Sequence, residues 1–152
     1  MQVDVETVTE IECPLTTVAH YAADPSNAPE WYDNIRSIAW ETDPPVAVGS
    51  RAAFVANFLG RRLAYTYEVV ELEPDRRLVM RTAEGPFPME TTYTWEAVGD
   101  DRTRMTLRNR GTPTGFSRLA VPVMVPAMKR ANRKDLARLK AIMEHRESGP
   151  AS

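Results

Sequence analysis

METTYTWE (89–96) and TRMTLRNR (103–110) decide the fold, because both alternate with period two and a long helical period follows them. Successive side chains of a strand point to opposite faces. In the first stretch Met89, Thr91, Tyr93 and Trp95 therefore share one face, against Glu90, Thr92, Thr94 and Glu96. In the second, Met105, Leu107 and Asn109 oppose Arg104, Thr106, Arg108 and Arg110. This predicts antiparallel strands with one mainly apolar face and one charged, wet face. The Arg and Glu rows are expected to pair across neighbouring strands and to form a solvated surface rather than a binding patch.

Upstream, turn signals recur at regular intervals and delimit four more strands. IRSIAWET, SRAAFVANF, LAYTYEVVELE and LVMRTAE are separated by DPPVAVG, LGRR and PDRR, and GPF closes the last of them. Six sequential strands with short links predict a meander. VDVETVTEI (3–11) adds a seventh strand at the start. Pro14 then opens a short helix, a position where its missing N–H goes unmissed. Its apolar stripe is Leu15, Val18, Ala19 and Ala22, and Ser26 or Asn27 is placed to cap a second short helix, APEWYDNI.

Downstream, from about Thr114, the period becomes helical. Met128, Asn132, Leu136, Leu139 and Met143 form one stripe, and Lys129, Arg130, Arg133, Lys134 and Arg138 the other side. Such an amphipathic helix, over roughly 127–145, belongs on the apolar face of the sheet. VPVMVPAM (121–128) just before it is expected either to form an adaptable rim, with Met124 and Met128 lining it, or to be a hydrophobic connector.

The 152 residues predict one domain over 1–146 with a frayed tail at 147–152. A chain this long buries enough surface to need neither disulfide nor metal. With 21 acids against 19 bases the composition gives no reason to expect a nucleic-acid partner. The single cysteine, Cys13, excludes an intrachain disulfide and fits a reducing cytoplasm. The acidic, alternating N-terminus does not read as a signal peptide, and no apolar run reaches the ~20 residues of a membrane helix. No His/Cys cluster has metal-ligand spacing, and neither a GxSxG elbow nor a glycine-rich phosphate loop occurs. No metal and no cofactor are expected. His20 and His145 are expected at the surface.

Strand, two short helices, six strands and a long helix: in this order the chain resembles the START-like, helix-grip superfamily, in its polyketide cyclase/dehydrase branch. The marks are IECP, ADPSNAPEWYDNI with Trp31, VGSR, YEVVELEPDRRLVMR and TRMTL, and they span nearly the whole chain. The resemblance implies an α+β fold whose curved antiparallel sheet wraps a C-terminal helix around a deep cavity. It implies a small hydrophobic ligand, a lipid or polycyclic aromatic. The alternatives are a polyketide aromatase/cyclase or dehydrase, and a chaperone-like or quinone-biosynthesis accessory module. A monomer or homodimer is expected.

Candidate ligand-binding residues follow from parity and position. Trp31 and Tyr32 stand near the expected mouth, where an aromatic either stacks on a flat ligand or anchors the helix to the sheet. Phe54, Phe58, Met80, Met89, Tyr93 and Met105 form a Met-rich inward set suited to an irregular guest. Thr91 and Asn109 share those faces and, if buried, need partners. The strand LAYTYEVVELE admits two registers. One turns Thr66, Glu68, Val70 and Leu72 inward, the other Tyr65, Tyr67 and Val69, and a bulge mixes them. In the first register Glu68 is a weak candidate acid or base.

Overall fold

The computed structural model describes residues 3–85, 88–113, 119 and 121–148. The chain runs β1 (Val3–Ile11), α1 (Leu15–Ala23), a 3-10 turn (Pro25–Asn27), α2 (Ala28–Trp31), β2 (Ile35–Trp40), β3 (Arg51–Phe58), β4 (Arg61–Glu73), β5 (Arg77–Glu84), β6 (Met89–Ala97), β7 (Thr103–Gly111) and α3 (Val121–Ser148). The seven strands form one antiparallel sheet in the order β1-β7-β6-β5-β4-β3-β2. The helix-grip architecture and the six-strand meander stand as read from the sequence. The helix pair carried by the 14–31 segment crosses from β1, at one edge, to β2, at the other.

The parity reading holds on both deciding strands. Met89, Tyr93, Trp95, Met105 and Leu107 are buried. Arg104, Arg108 and Arg110 lie on the wet face, where Arg108 meets Asp4 at 2.7 Å, Arg104 meets Glu96 at 3.3 Å and Arg81 meets Glu90 at 2.8 Å. Such exposed pairs contribute tenths of a kcal/mol each and mainly keep that face wet. His20 and His145 are exposed, and Cys13 is fully buried in the core.

Two local expectations are corrected. Pro14 is the N-cap of α1 rather than its first helical residue, and neither Ser26 nor Asn27 caps α2 by its side chain. Asp24 caps instead, accepting from the Ser26 N–H at 2.9 Å at the head of the 3-10 turn. The long helix also begins at Val121, six residues before the expected start, and runs to Ser148. Pro122 falls in its first turn, where a missing N–H is harmless. Pro126 lies inside it, and both prolines are exposed. The carbonyl that Pro126 leaves without a donor is that of Pro122, on the side open to water. The rest of the expected tail, 149–152, lies outside the described residues, as do 114–118 before the helix.

α3 packs dry at its two ends. Val121 and Met124 sit on Val3, Val5 and Met89. Leu136, Leu139 and Met143 sit in the main core with Ile11, Leu78 and Leu107. Trp31, with no exposed surface, ties α2 into that core. Leu139→Ala is expected to cost about 2–5 kcal/mol in urea denaturation, as a large-to-small change at a sealed site. Arg133→Ala, on the exposed side of the same helix, is expected to stay within about 0.5 kcal/mol.

Candidate ligand-binding chamber

Between the two dry ends of α3 the stripe changes character. Met128, Ala131, Asn132 and Asp135 face the sheet there, and the short side chains of Ala131 and Asn132 leave a gap. The gap is a chamber with about 170 Å³ open to the centre of a water-sized sphere. One water needs roughly 10–15 Å³ by that measure, so the space suits a molecule much larger than water. Most of its lining is apolar.

The sheet supplies the long wall. Phe54 and Ala56 come from β3, and Leu63, Tyr65 and Tyr67 from β4. Met80, Met89, Thr91, Tyr93 and Asn109 come from the next three strands. The register question on β4 is settled by its irregularities. The pairing with β5 shifts between Thr66 and Tyr67 and again between Val69 and Glu71. Tyr65, Tyr67 and Val69 therefore point inward, and Leu72 rejoins the core after the second shift. Glu68 stands across from Arg51 and Arg81 in the ladder and is not part of the chamber wall. Tyr65 depends on a glycine: a Cβ at Gly85 would stand 2.5 Å from its ring. The other end is closed by Ala22 and Ala23 of α1, by Asp24, Pro25 and Ala28, and by Tyr32, Asn34 and Ile35.

Of the residues singled out from sequence, the chamber brings together Tyr32, Phe54, Met80, Met89, Thr91, Tyr93, Asn109 and Met128. Trp31 and Met105 lie in the core, fully buried, and Met124 packs on β1. Trp31 does the anchoring and supports the site from behind: its ring is 4.2 Å from that of Tyr32 and 5.7 Å from that of Tyr93. Phe58 ends β3, and its side chain lies outside the described ones.

The polar groups fall into two sets. On the sheet side Thr91 donates to Asn109 Oδ1 at 2.8 Å, which satisfies two groups that parity had turned inward. The Tyr32 and Tyr93 hydroxyls meet at 2.6 Å across the chamber end. Burial holds both phenols, and Tyr67, far above the ordinary phenol range, so all three remain neutral donors. On the helix side stand Asn132 and Asp135, 4% and 2% exposed. Asp135 accepts the Asp33 N–H at 3.0 Å, and Lys134 and Arg138 hold the Asp33 carboxylate at 3.3 and 3.6 Å. This clasp joins the end of α2 to α3. Burial nevertheless dominates and pushes the Asp135 carboxyl up to about 6, with the nearby Asp33 charge adding to it. Asn132 Nδ2 is buried without a hydrogen-bond partner.

Asn132 was read as a stripe residue, and Asp135 was missed. Its signal was in the sequence: 128, 132, 135, 136 and 139 follow one helical face, so Asp135 places a carboxylate on an otherwise apolar stripe. Among the described residues no group of three or more His, Cys, Asp or Glu is placed to hold a metal ion. No helix among them is long and apolar enough to cross a membrane.

Residues 2–144 match the model of a family described as polyketide cyclase / dehydrase and lipid transport. No curated protein matches. Among solved structures the chain is similar to an aromatase/cyclase from a Streptomyces species, at 15% identity and a TM-score of 0.85, covering 100% of this chain and 99% of that one. It is also similar to a Thermus thermophilus protein, at 20% identity and a TM-score of 0.82, covering 95% and 99%. A START superfamily protein from Mycobacterium smegmatis follows at 16% identity and 0.71, covering 94% and 95%. At these identities the likeness shows the fold alone.

Asp135 gives a signed pH prediction. Its folded carboxyl titrates near 6 against an ordinary value of 3.8, so between those values the folded state binds the extra proton. Stability is thus untouched below pH 4, falls as pH rises from 4 to 6, and stays lowered above 6. The loss is on the order of 2–3 kcal/mol. Asp135→Asn keeps an acceptor for Asp33 and is expected to flatten the urea-denaturation profile between pH 4 and 7. A variant profile that keeps the wild-type slope would assign that slope to other groups.

Proposed function

The chain belongs to the polyketide cyclase / dehydrase and lipid transport family, and on that premise we propose that it binds a flat, largely apolar small molecule in the chamber beneath α3. The observation that carries this reading is the gap itself. The stripe of α3 is packed dry on both sides of it, so the hollow is a local feature and not a loose core. Aromatic edges from Tyr65, Tyr67, Phe54 and Tyr93 suit a ring system, and Met80, Met89 and Met128 adapt to its outline. Polar anchors at one end orient the guest: the neutral phenols of Tyr32 and Tyr93 meet there, and one of the two hydroxyls keeps its proton free to donate. The guest class that fits is a polycyclic aromatic or lipid-like molecule bearing oxygen at one end. On this reading the protein works in the cytoplasm, as a monomer or homodimer, without a nucleic-acid partner.

The second reading, an aromatase/cyclase or dehydrase, draws support from the same polar end. A ring closure needs an acid near the carbonyl that is attacked and a base that removes a proton from the attacking carbon. A carboxyl that titrates near 6, lining with two phenols the same mainly apolar chamber, is suited to such proton exchange. The third reading, an accessory interaction module, calls for a filled cavity and a large exposed apolar patch, and the open chamber disfavours it.

Native mass spectrometry of the purified protein is expected to show a co-purified guest, or uptake of an added polycyclic aromatic. Ala131→Trp places a ring in the gap and is expected to weaken uptake at least tenfold with the circular dichroism unchanged. Uptake that survives this filling would place the guest elsewhere. Asp135→Asn separates the first two readings: a binder keeps its affinity within a few-fold, whereas a cyclase keeps affinity and loses turnover of a poly-β-ketone substrate analogue.

A further inference from the structure

We propose that the exposed side of α3 over 121–134, with the tip of the β3–β4 hairpin, is a docking face for the surface of an anionic lipid bilayer. Both stretches lack acids on the side that meets water. No Asp or Glu occurs between Asp43 and Glu68, or between Asp101 and Asp135, in a chain whose net charge is −2. Acids and bases are therefore unevenly spread over this molecule, and the acid-free part coincides with exposed apolar side chains.

The apolar row comes first along the helix. Leu119, just ahead of α3, is 79% exposed and Val123 is 62% exposed. Pro122 and Pro126 are exposed beside them. At helical spacing, positions 119, 122, 123 and 126 share one side. Val121 and Met124, on the other side, are the residues that pack on the sheet. Large apolar side chains gathered on a water-facing surface mark a contact site.

The charge follows on the same side. Continued along the helix, the row gives Lys129, Arg130 and Arg133, all exposed. On the hairpin, Arg61 and Arg62 are exposed at the start of β4, and Leu59 in the turn before them is 49% exposed. Bases of the sheet face such as Arg81, Arg104 and Arg108 each meet a carboxylate. Among the described residues, the three bases of α3 and the two of the hairpin meet none. Leu63 and Met128 line the chamber and are partly exposed, so these bases flank its opening. Charge decides the occupant. A second copy would set Lys129, Arg130 and Arg133 against their own kind. An acidic protein answers the bases alone. A bilayer answers both sets: its acyl boundary takes the apolar row, and its anionic headgroups take the bases behind it. The docking holds whatever the chamber contains; only its use as a route for an apolar guest rests on the proposed binding.

Flotation with vesicles tests this. The protein is expected to float with phosphatidylcholine vesicles that contain about one-third phosphatidylglycerol, and at least tenfold less with phosphatidylcholine alone. A base near an anionic surface is worth about fivefold in partitioning. Lys129→Gln, Arg130→Gln and Arg133→Gln together are therefore expected to lower binding at least tenfold. Arg81→Gln, Arg104→Gln and Arg108→Gln change the net charge equally on the sheet face and are expected to leave binding within twofold. Leu119→Ser with Val123→Ser keeps every charge and is expected to weaken binding at least fivefold. The substituted positions on the docking face are exposed, so circular dichroism and urea denaturation are expected to match the wild type. Ala131→Trp, which fills the chamber, is expected to float like the wild type, so loss of guest uptake and loss of docking are separate results. The proposal is overturned if anionic vesicles do not carry the protein, if the sheet-face triple weakens binding as much as the α3 triple, or if the Leu119 and Val123 substitutions change nothing. Retention on immobilised poly-glutamate without flotation would assign the face to an acidic protein and overturn it as well.

Discussion

Everything in this molecule depends on α3 being held at both ends and not in the middle. Leu136, Leu139 and Met143 are sealed among residues from β1, β5 and β7, and Val121 and Met124 are sealed on β1 and β6. Burial of side chains this size stabilises by roughly 1.5–3 kcal/mol each. Two such anchors, more than two helical turns apart, fix the helix over the sheet, and between them the Asp135 and Lys134 contacts with Asp33 tie it to the end of α2. The sheet curves beneath that span, with irregular pairing on β2 and on β4. Bulges bend a strand and re-aim its side chains. The hollow is thus what remains where the helix crosses a curved sheet and carries Ala131 and Asn132 where a Leu would fill the space.

That division of labour explains how buried polarity is tolerated. Asn132 with an unused amide and Asp135 with a carboxyl lifted to about 6 both oppose folding at neutral pH. Among the described residues Asp135 is the only buried acid, and it stands at one end of the chamber. Asp135 is offset in part by its bond from the Asp33 N–H, and the clasp from Lys134 and Arg138 to Asp33 keeps α2 in place to give it. Trp31, one residue before Tyr32, locks the same segment from inside. The Tyr32 hydroxyl therefore reaches Tyr93 from a rigid base, which is what orientation of a guest requires.

The fold was legible because its signals are periodic. Period two in β6 and β7, turn residues at regular spacing and a long helical stripe specify an antiparallel meander crossed by a helix. The start of α3 was not legible, because two prolines read as a break, whereas an exposed first turn accommodates one and water serves the carbonyl left by the other. The site was half legible. Parity placed Met80, Met89, Thr91, Tyr93 and Asn109 on the correct face, but parity states only which face a residue takes. It does not separate Met105, packed solid in the core, from Met89, which borders the hollow. β4 was ambiguous for a physical reason: one extra residue, Val70, stands in it between Val69 and Glu71 and changes the parity there, so Tyr65 and Tyr67 share the inner face with Leu72, although they differ from it in parity. Asp135 was readable as a carboxylate on an apolar stripe and was passed over because Leu136 beside it satisfied the pattern.

The placement of polar groups on α3 also bears on how a guest leaves. A chamber lined only by Met and aromatic rings would hold an apolar molecule by area alone, with nothing to fix its direction. Here Tyr93 stands on the sheet, with Tyr32 at the end of α2 bonded to it, and Asp135 stands on the helix, so a guest touching both the phenols and the carboxyl bridges the two layers. Such a bridge is strongest when Asp135 is in the protonation state the guest prefers, and the carboxyl changes state near pH 6, close to neutrality. A guest that donates a hydroxyl to the carboxylate is held better as pH rises through that value, whereas one that needs a proton from the carboxyl is held better as it falls. The sign of the pH dependence of affinity therefore reports which functional group the guest presents to α3, even before the guest is identified.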